Sequence, residues 1–184
     1  MNTTSTRVIG LDLSLTATGI ADAQGDRIHT ATIATHPYGP GLDERMRRIW
    51  YIAERIWRVI EDGPRPALVV IEGPSYGSCG GQAHERAGLW WHVADRLLGV
   101  YCLPVATVPP AAVKKYATGK GTATKPDMRM ALYKRAGLDV ADDGQVDAWW
   151  LAAAGLDHLG RPPVTLPADQ RKALAAVEWP EEAK

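Results

Sequence analysis

The run Val8-Ile9-Gly10-Leu11-Asp12-Leu13 sets an aspartate inside what otherwise reads as a buried β-strand. An ionised carboxylate in such a place must pair with a cation, accept several hydrogen bonds, or take up a proton. The small hydroxyls Ser14, Thr16 and Thr18 follow, then Gly19 and a second apolar run at Ile20-Ala21. That order predicts a hairpin with Asp12 near its turn, aimed out of the sheet face. A turn or capping aspartate is the ordinary alternative. Further acids in equally unusual contexts downstream weigh against it.

The rest of the chain supplies elements in an order that narrows the fold. Gln24-Gly25-Asp26 is a turn, and Arg27–Thr35 alternates apolar and polar residues as a third strand does. From Leu42 the residues Met46, Ile49, Ile52, Ile56, Val59 and Ile60 recur at helical spacing up to Gly63-Pro64. Ala67–Ile71 is a short buried strand ending at Glu72, and a Gly/Ser-rich loop over 73–81 leads to a helix over 82–98. Within that helix Trp90, Trp91, Ala94 and Leu98 form an apolar stripe expected to be chiefly core. Pro104–Val108 is a fifth strand. Helices are expected from Pro110 to about Tyr116, from about Pro126 to Ala136, and over Asp143–His158. Three antiparallel-type strands followed by alternating helices and strands make a mixed α/β layout. The chain of 184 residues suits one domain over 1–159, with the proline-punctuated remainder, 160–184, as a C-terminal appendage.

Bulk properties exclude some classes. Net charge is zero, which argues against a simple nucleic-acid binder, but the charge is unevenly placed. Residues 111–136 hold seven basic side chains (Lys114, Lys115, Lys120, Lys125, Arg129, Lys134, Arg135) against one acid, Asp127, and the remainder is net acidic. Cys79 and Cys102 lie far apart without metal or redox spacing, which fits a reducing cytosol. The polar N-terminus and the lack of long apolar runs predict a cytoplasmic protein with no membrane segment.

Three acidic positions stand out. Besides Asp12 there is Glu72, closing Leu68-Val69-Val70-Ile71, and the group Asp142-Asp143-Gly144-Gln145-Val146-Asp147 before the apolar run 148–154. On a helix Asp143 and Asp147 share a face, and a like-charge pair at that spacing is unfavourable unless a cation lies between. Asp142 or Asp143 can equally cap the helix N-terminus. Acids from two strand ends and one helix face can converge on hard divalent cations, and two such metals suit in-line phosphodiester hydrolysis.

Lys114, Lys120 and Lys125 bracket a Gly/Thr-rich loop, with Lys115 beside the first. Such lysines make salt-sensitive phosphate contacts, and Lys125 near the acids would stabilise charge on a scissile phosphate. Lys134 and Arg135 read as solvated. The histidines, His29, His36, His84, His92 and His158, show no ligand-like spacing.

Taken together, these motifs resemble those of RuvC-type Holliday-junction resolvases in the ribonuclease H-like superfamily, most closely the phage-type branch. IGLDLSLTATG resembles the family's first-strand acid motif, VVIEGPSYG its fourth-strand glutamate motif, VKKYATGKGTATK its lysine-bearing segment, and DDGQVDAWWLAAAG its last helix. The resemblance implies a ribonuclease H-like fold with a five-stranded mixed sheet flanked by helices. It also implies a homodimer that nicks a four-way DNA junction symmetrically. Asp12, Glu72 and Asp147 would fall on the catalytic acids and hold two Mg²⁺ ions, with Mn²⁺ as a substitute. Lys114 and Lys125 fall on the DNA-contacting positions. Two departures matter. The position three before the last acid is Gly144, which makes Asp143 the candidate fourth ligand. The aromatic wedge position is Ser75, with Tyr76 beside it as a base-stacking candidate.

Other readings stay in view. A flap, fork or RNA–DNA hybrid nuclease of the same superfamily would share every motif. GLDLSLTATG also looks like the first phosphate loop of actin-like kinases, but those need a second comparable domain and a later Asp-Gly-Gly-type loop. A module that binds junctions without cutting would not require the acids.

Overall fold

The computed structural model describes residues 6–74 and 82–183. One five-stranded sheet organises them, with strand order β3-β2-β1-β4-β5. The strands are β1 (Arg7–Asp12), β2 (Ala17–Gln24), β3 (Arg27–Ala34), β4 (Leu68–Glu72) and β5 (Val105–Val108). The first three form an antiparallel meander, and β4 and β5 add in parallel to β1. Parallel neighbours need crossovers. Helix α1 (Leu42–Glu61) makes the first, and α2 (Ala83–Asp95), extended by a π-helical turn over Arg96–Val100, makes the second. Three helices follow β5: α3 (Pro110–Thr118), α4 (Lys125–Ala136) and α5 (Asp143–His158), with a short α6 (Ala168–Arg171) in the tail. The predicted α/β class and five-stranded mixed sheet flanked by helices are what the chain adopts.

Strand alternation sorts the core into two layers. Ile9, Leu11, Val69 and Ile71 face α1 and α2, where they meet Ile49, Ile52, Ile56, Leu89, Val93 and Leu97. Val8, Leu68 and Val70 face the other way, toward α3, α4 and α5. Helix α2 therefore buries Leu89, Val93 and Leu97, spaced four apart, while Trp91 is 67% and Leu98 55% exposed. This corrects the expectation of a core stripe through Trp91 and Leu98. Trp91 stands on the wall of a cavity that also holds Asp12 and Glu72, and Trp90 is only half-buried. The residues after Gly160, set apart in the sequence reading, send Leu166, Leu174, Val177 and Ala183 into the α5-side core.

Two arginines are buried against expectation. Arg7, at the start of β1, forks onto the Asp22 carboxylate at 2.8 and 2.9 Å and donates to the Ile60 and Pro64 carbonyls. It thereby ties the C-terminus of α1 to the sheet. Arg48 donates from Nε to the Thr35 hydroxyl at 2.9 Å. No helix among the described residues is long and apolar enough to cross a membrane.

Candidate active site

The parity that separates the two layers also aims the acids. Asp12 follows Val8 and Gly10, and Glu72 follows Leu68 and Val70, so both carboxyls leave the sheet on the α5 side. In the parallel register Leu11 pairs with Ile71, which puts Asp12 and Glu72 side by side at the next step. The indole N–H of Trp90 donates to the Glu72 carbonyl at 3.0 Å and fixes that strand end.

Helix α5 reaches this corner because three glycines let backbone meet backbone. A Cβ at Gly10 would fall 2.2 Å from the Ala148 carbonyl oxygen, and one at Gly19 would fall 1.9 Å from that of Gly144. At the far end, a Cβ on Gly155 would fall 2.8 Å from both Val8 and Val70 side chains. Gln145 pins the first turn by accepting from Thr30 at 2.8 Å and donating to Thr32 at 2.9 Å on β3. Asp142 caps the helix, accepting from the Gln145 N–H at 3.0 Å. Asp147 is thereby held over the ends of β1 and β4. The same crowding explains Gly144, where the family-like pattern calls for a ligand. A side chain there would press on the Ala17 carbonyl, 3.1 Å from its Cβ.

Asp12 and Glu72 each act on the other, and Asp147 acts on both. Burial pushes the Asp12 carboxyl well above the ordinary range, and the Asp147 charge adds to the effect. Burial and then the Asp12 charge do the same to Glu72. Asp12 and Glu72 act on each other, and as a pair they hold a proton more tightly than free carboxyls do. Asp147 is pushed up to about 6 by burial, opposed by the Lys125 charge, with the Asp143 charge adding to the rise and Lys114 to the opposition. Asp143 behaves differently. Burial works to raise it, but Lys125 and then Arg129 outweigh that and hold it below the usual carboxylate range. Lys125 Nζ lies 3.0 Å and Arg129 Nη2 2.7 Å from its carboxylate oxygens.

Of the predicted basic residues, Lys114 and Lys125 reach the acids. Lys114, half-buried on α3, acts on both Glu72 and Asp147. Lys115 points to solvent in the same helix, and Lys120 is exposed in the turn that follows it. Tyr76 lies outside the described residues, as does Ser75. Arg129 was legible only as one charge among seven in the basic segment. Its distance of four residues from Lys125 on a helix was the available signal.

Among the described residues, no three carboxylate, imidazole or thiol groups stand in ready metal-holding geometry. The donor chemistry nevertheless fits a hard cation. Three half-buried carboxyls crowd one corner, and their raised affinity for protons, from desolvation and then mutual repulsion, is what a divalent ion relieves.

The chain superposes on the structure of Thermus thermophilus RuvC with a TM-score of 0.66 and 21% sequence identity, over 86% of this chain and 99% of that one. The fold is that of RuvC. A second structure, T. thermophilus RuvC in complex with a Holliday junction substrate, gives a TM-score of 0.67 at 20% identity, covering 87% and 99%. Both matches span most of each chain, and the likeness is one of fold. No protein-family model matches the chain, and no curated protein matches it in sequence.

Proposed function

We propose that this protein is a metal-dependent endonuclease of the phage-type RuvC kind, acting on four-way DNA junctions as a homodimer. The observation that carries the reading is the convergence of Asp12, Glu72 and Asp147 at one corner of the sheet, flanked by Lys114 and Lys125. The likeness in fold to a RuvC bound to a Holliday junction substrate supports branched DNA as the substrate. The two-fold symmetry of a four-way junction matches a two-fold dimer, each copy cutting one strand.

Asp12, Glu72 and Asp147 would hold the metal, Mg²⁺ or Mn²⁺ in two sites, with Asp143 as the fourth acid. Bound there, divalent ions supply an activated water and charge neutralisation at the leaving oxygen. The chain's own groups do the rest. Lys114 and Lys125 offset the acids' negative field, so that a phosphodiester can approach a site that would otherwise repel it. Lys125, 70% exposed, is placed to stabilise charge on the phosphate as the bond breaks. Lys115 and Lys120 add diffuse attraction along the approach. Ser14, Thr16 and Thr18 hold the β1–β2 turn, Thr18 donating to the Ser14 carbonyl at 2.6 Å, and keep Asp12 at its rim.

The test is cleavage of a labelled four-way junction in Mg²⁺, beside linear duplex, flap and RNA–DNA hybrid, with Asp12→Asn as control. Paired symmetric nicks confined to the junction and lost in the variant are expected. Equal cutting of flaps or hybrids would reassign the protein to a broader structure-specific nuclease. Tight binding without cutting in either metal would make it a junction-binding module.

A further inference from the structure

Asp143 shares a cavity with Asp12 and Asp147, but its carboxylate is paired with two cations. It sits in the first turn of α5 with a side chain 27% exposed, gripped from one side by α4. Lys125 Nζ meets one carboxylate oxygen at 3.0 Å. Arg129 meets the other twice, through Nε at 2.8 Å and Nη2 at 2.7 Å. The two cations are four residues apart on α4, hence on one face, and Thr124 fixes that helix's start by accepting from Asp127 N–H. Both cations also line a cavity of about 350 Å³ whose other walls include Asp12, Asp147, Ser14 and Thr16. The grip therefore opens onto the acid corner.

A guanidinium fork beside an ammonium suits any planar or tetrahedral anion that offers two oxygens. A carboxylate and the two non-bridging oxygens of a phosphodiester present nearly the same target. We propose that Lys125 and Arg129 form a clamp for a DNA phosphate beside the cleavage site, and that Asp143 fills this clamp until DNA displaces it. The proposal rests on the nuclease reading above. It adds Arg129 as a positioning residue and makes Asp143 a competitor for the strand rather than only a ligand. The exchange is cheap, because half-exposed ion pairs contribute little and one anion replaces another. It also has a consequence for the acids. A displaced Asp143 lies four residues before Asp147 on the same helical face, free of the cations that hold it away. The fourth acid then joins the other three only when a strand is in place.

The experiment is metal-free binding of a fluorescent four-way junction, in EDTA and across a salt series, by wild type, Asp143→Asn, Arg129→Gln and the double variant. Circular dichroism confirms the fold of each, and Lys125→Gln with its own double variant gives a second, independent cycle. Asp143→Asn is expected to bind about three- to tenfold tighter, with a salt dependence steeper by about one phosphate contact. Arg129→Gln is expected to bind more weakly, and adding Asp143→Asn to it is expected to change nothing. A gain of equal size in the Arg129→Gln and Lys125→Gln backgrounds would overturn the clamp, since it would reflect general loss of negative charge. No gain in the single variant would overturn it as well. Wild type that binds neither junction nor duplex would overturn the nuclease reading, and the clamp with it.

Discussion

Glu72 stands beside Asp12 one step past the Leu11–Ile71 pair of β1 and β4, so two half-buried acids face each other where the sheet ends. This pair is held together by strand register and partly covered by α5. It stores unfavourable electrostatics that folding must overcome and that a cation can release.

That storage makes stability depend on pH. The Asp12 carboxyl moves from about 3.8 to about 7 on folding, and that of Glu72 from about 4.5 to about 8, burial being the main cause in both. Below about pH 3 both acids are neutral in the folded and unfolded chains. As pH rises to about 8, the unfolded chain gives up its protons first, so metal-free stability falls through that window. Asp12→Asn removes one charge from the cluster. In EDTA near pH 8 it is expected to gain on the order of 2 kcal/mol in urea unfolding, and little near pH 4. It should lose cleavage at any pH.

The contact of α5 with the sheet is expected to be unforgiving. Gly10→Ala places a methyl group where the Ala148 carbonyl already stands, and Ala148 directly follows Asp147. Backbone must move, at a cost of about 2–4 kcal/mol in denaturant unfolding. Any protein that folds should cleave poorly, because Asp147 moves with its helix. Gly160→Ala, far from the sheet, tests only the left-handed turn and should spare activity.

Lys114 and Lys115 are neighbours in sequence with different surroundings. Lys114 faces Glu72 and Asp147, whereas Lys115 faces solvent. Lys114→Ala is expected to lower single-turnover cleavage about 10²-fold with DNA still bound. Lys115→Ala should weaken binding slightly, reduce the salt slope by about one at most, and leave the bound rate unchanged.

The tail makes an ion pair in which a half-exposed arginine covers a buried carboxylate. Arg171 forks onto Asp157, which is 7% exposed and also receives the Tyr116 hydroxyl at 3.2 Å. Burial, then the Asp157 charge, pushes the Tyr116 phenol up, so it stays a donor. Arg171→Gln leaves a buried carboxylate without its cation and should lower the urea midpoint clearly. Pairing it with Asp157→Asn should recover part of the loss, a comparison that unfolding curves of the three variants settle.

Much of this was legible in the sequence for a physical reason. Asp12 and Glu72 each close an apolar strand whose side chains alternate, so parity alone put both carboxyls on a defined face. The helix from Asp143 to His158 announced itself by its apolar run, and Asp147 by standing inside it. Other features depend on contacts that periodicity does not encode. Which of Asp142 and Asp143 caps α5 is decided by where α4 brings Lys125 and Arg129. Trp91 reads as core by hydrophobicity, yet Leu89, Val93 and Leu97 take the buried face of α2. Arg7 and Arg48 are buried because distant loops and helix ends supply their acceptors. The tail's role appears only once α3 and α5 are side by side.

The most direct measurement is Mn²⁺ binding to the DNA-free protein near pH 7, by calorimetry in two buffers of different ionisation enthalpy. If Asp12, Glu72 and Asp147 form the metal centre, binding displaces the proton held by the Asp12–Glu72 pair, and the heats in the two buffers differ accordingly. Binding should be lost in Asp12→Asn and Asp147→Asn. Binding that survives both substitutions, or that releases no proton, would contradict a metal centre at this corner.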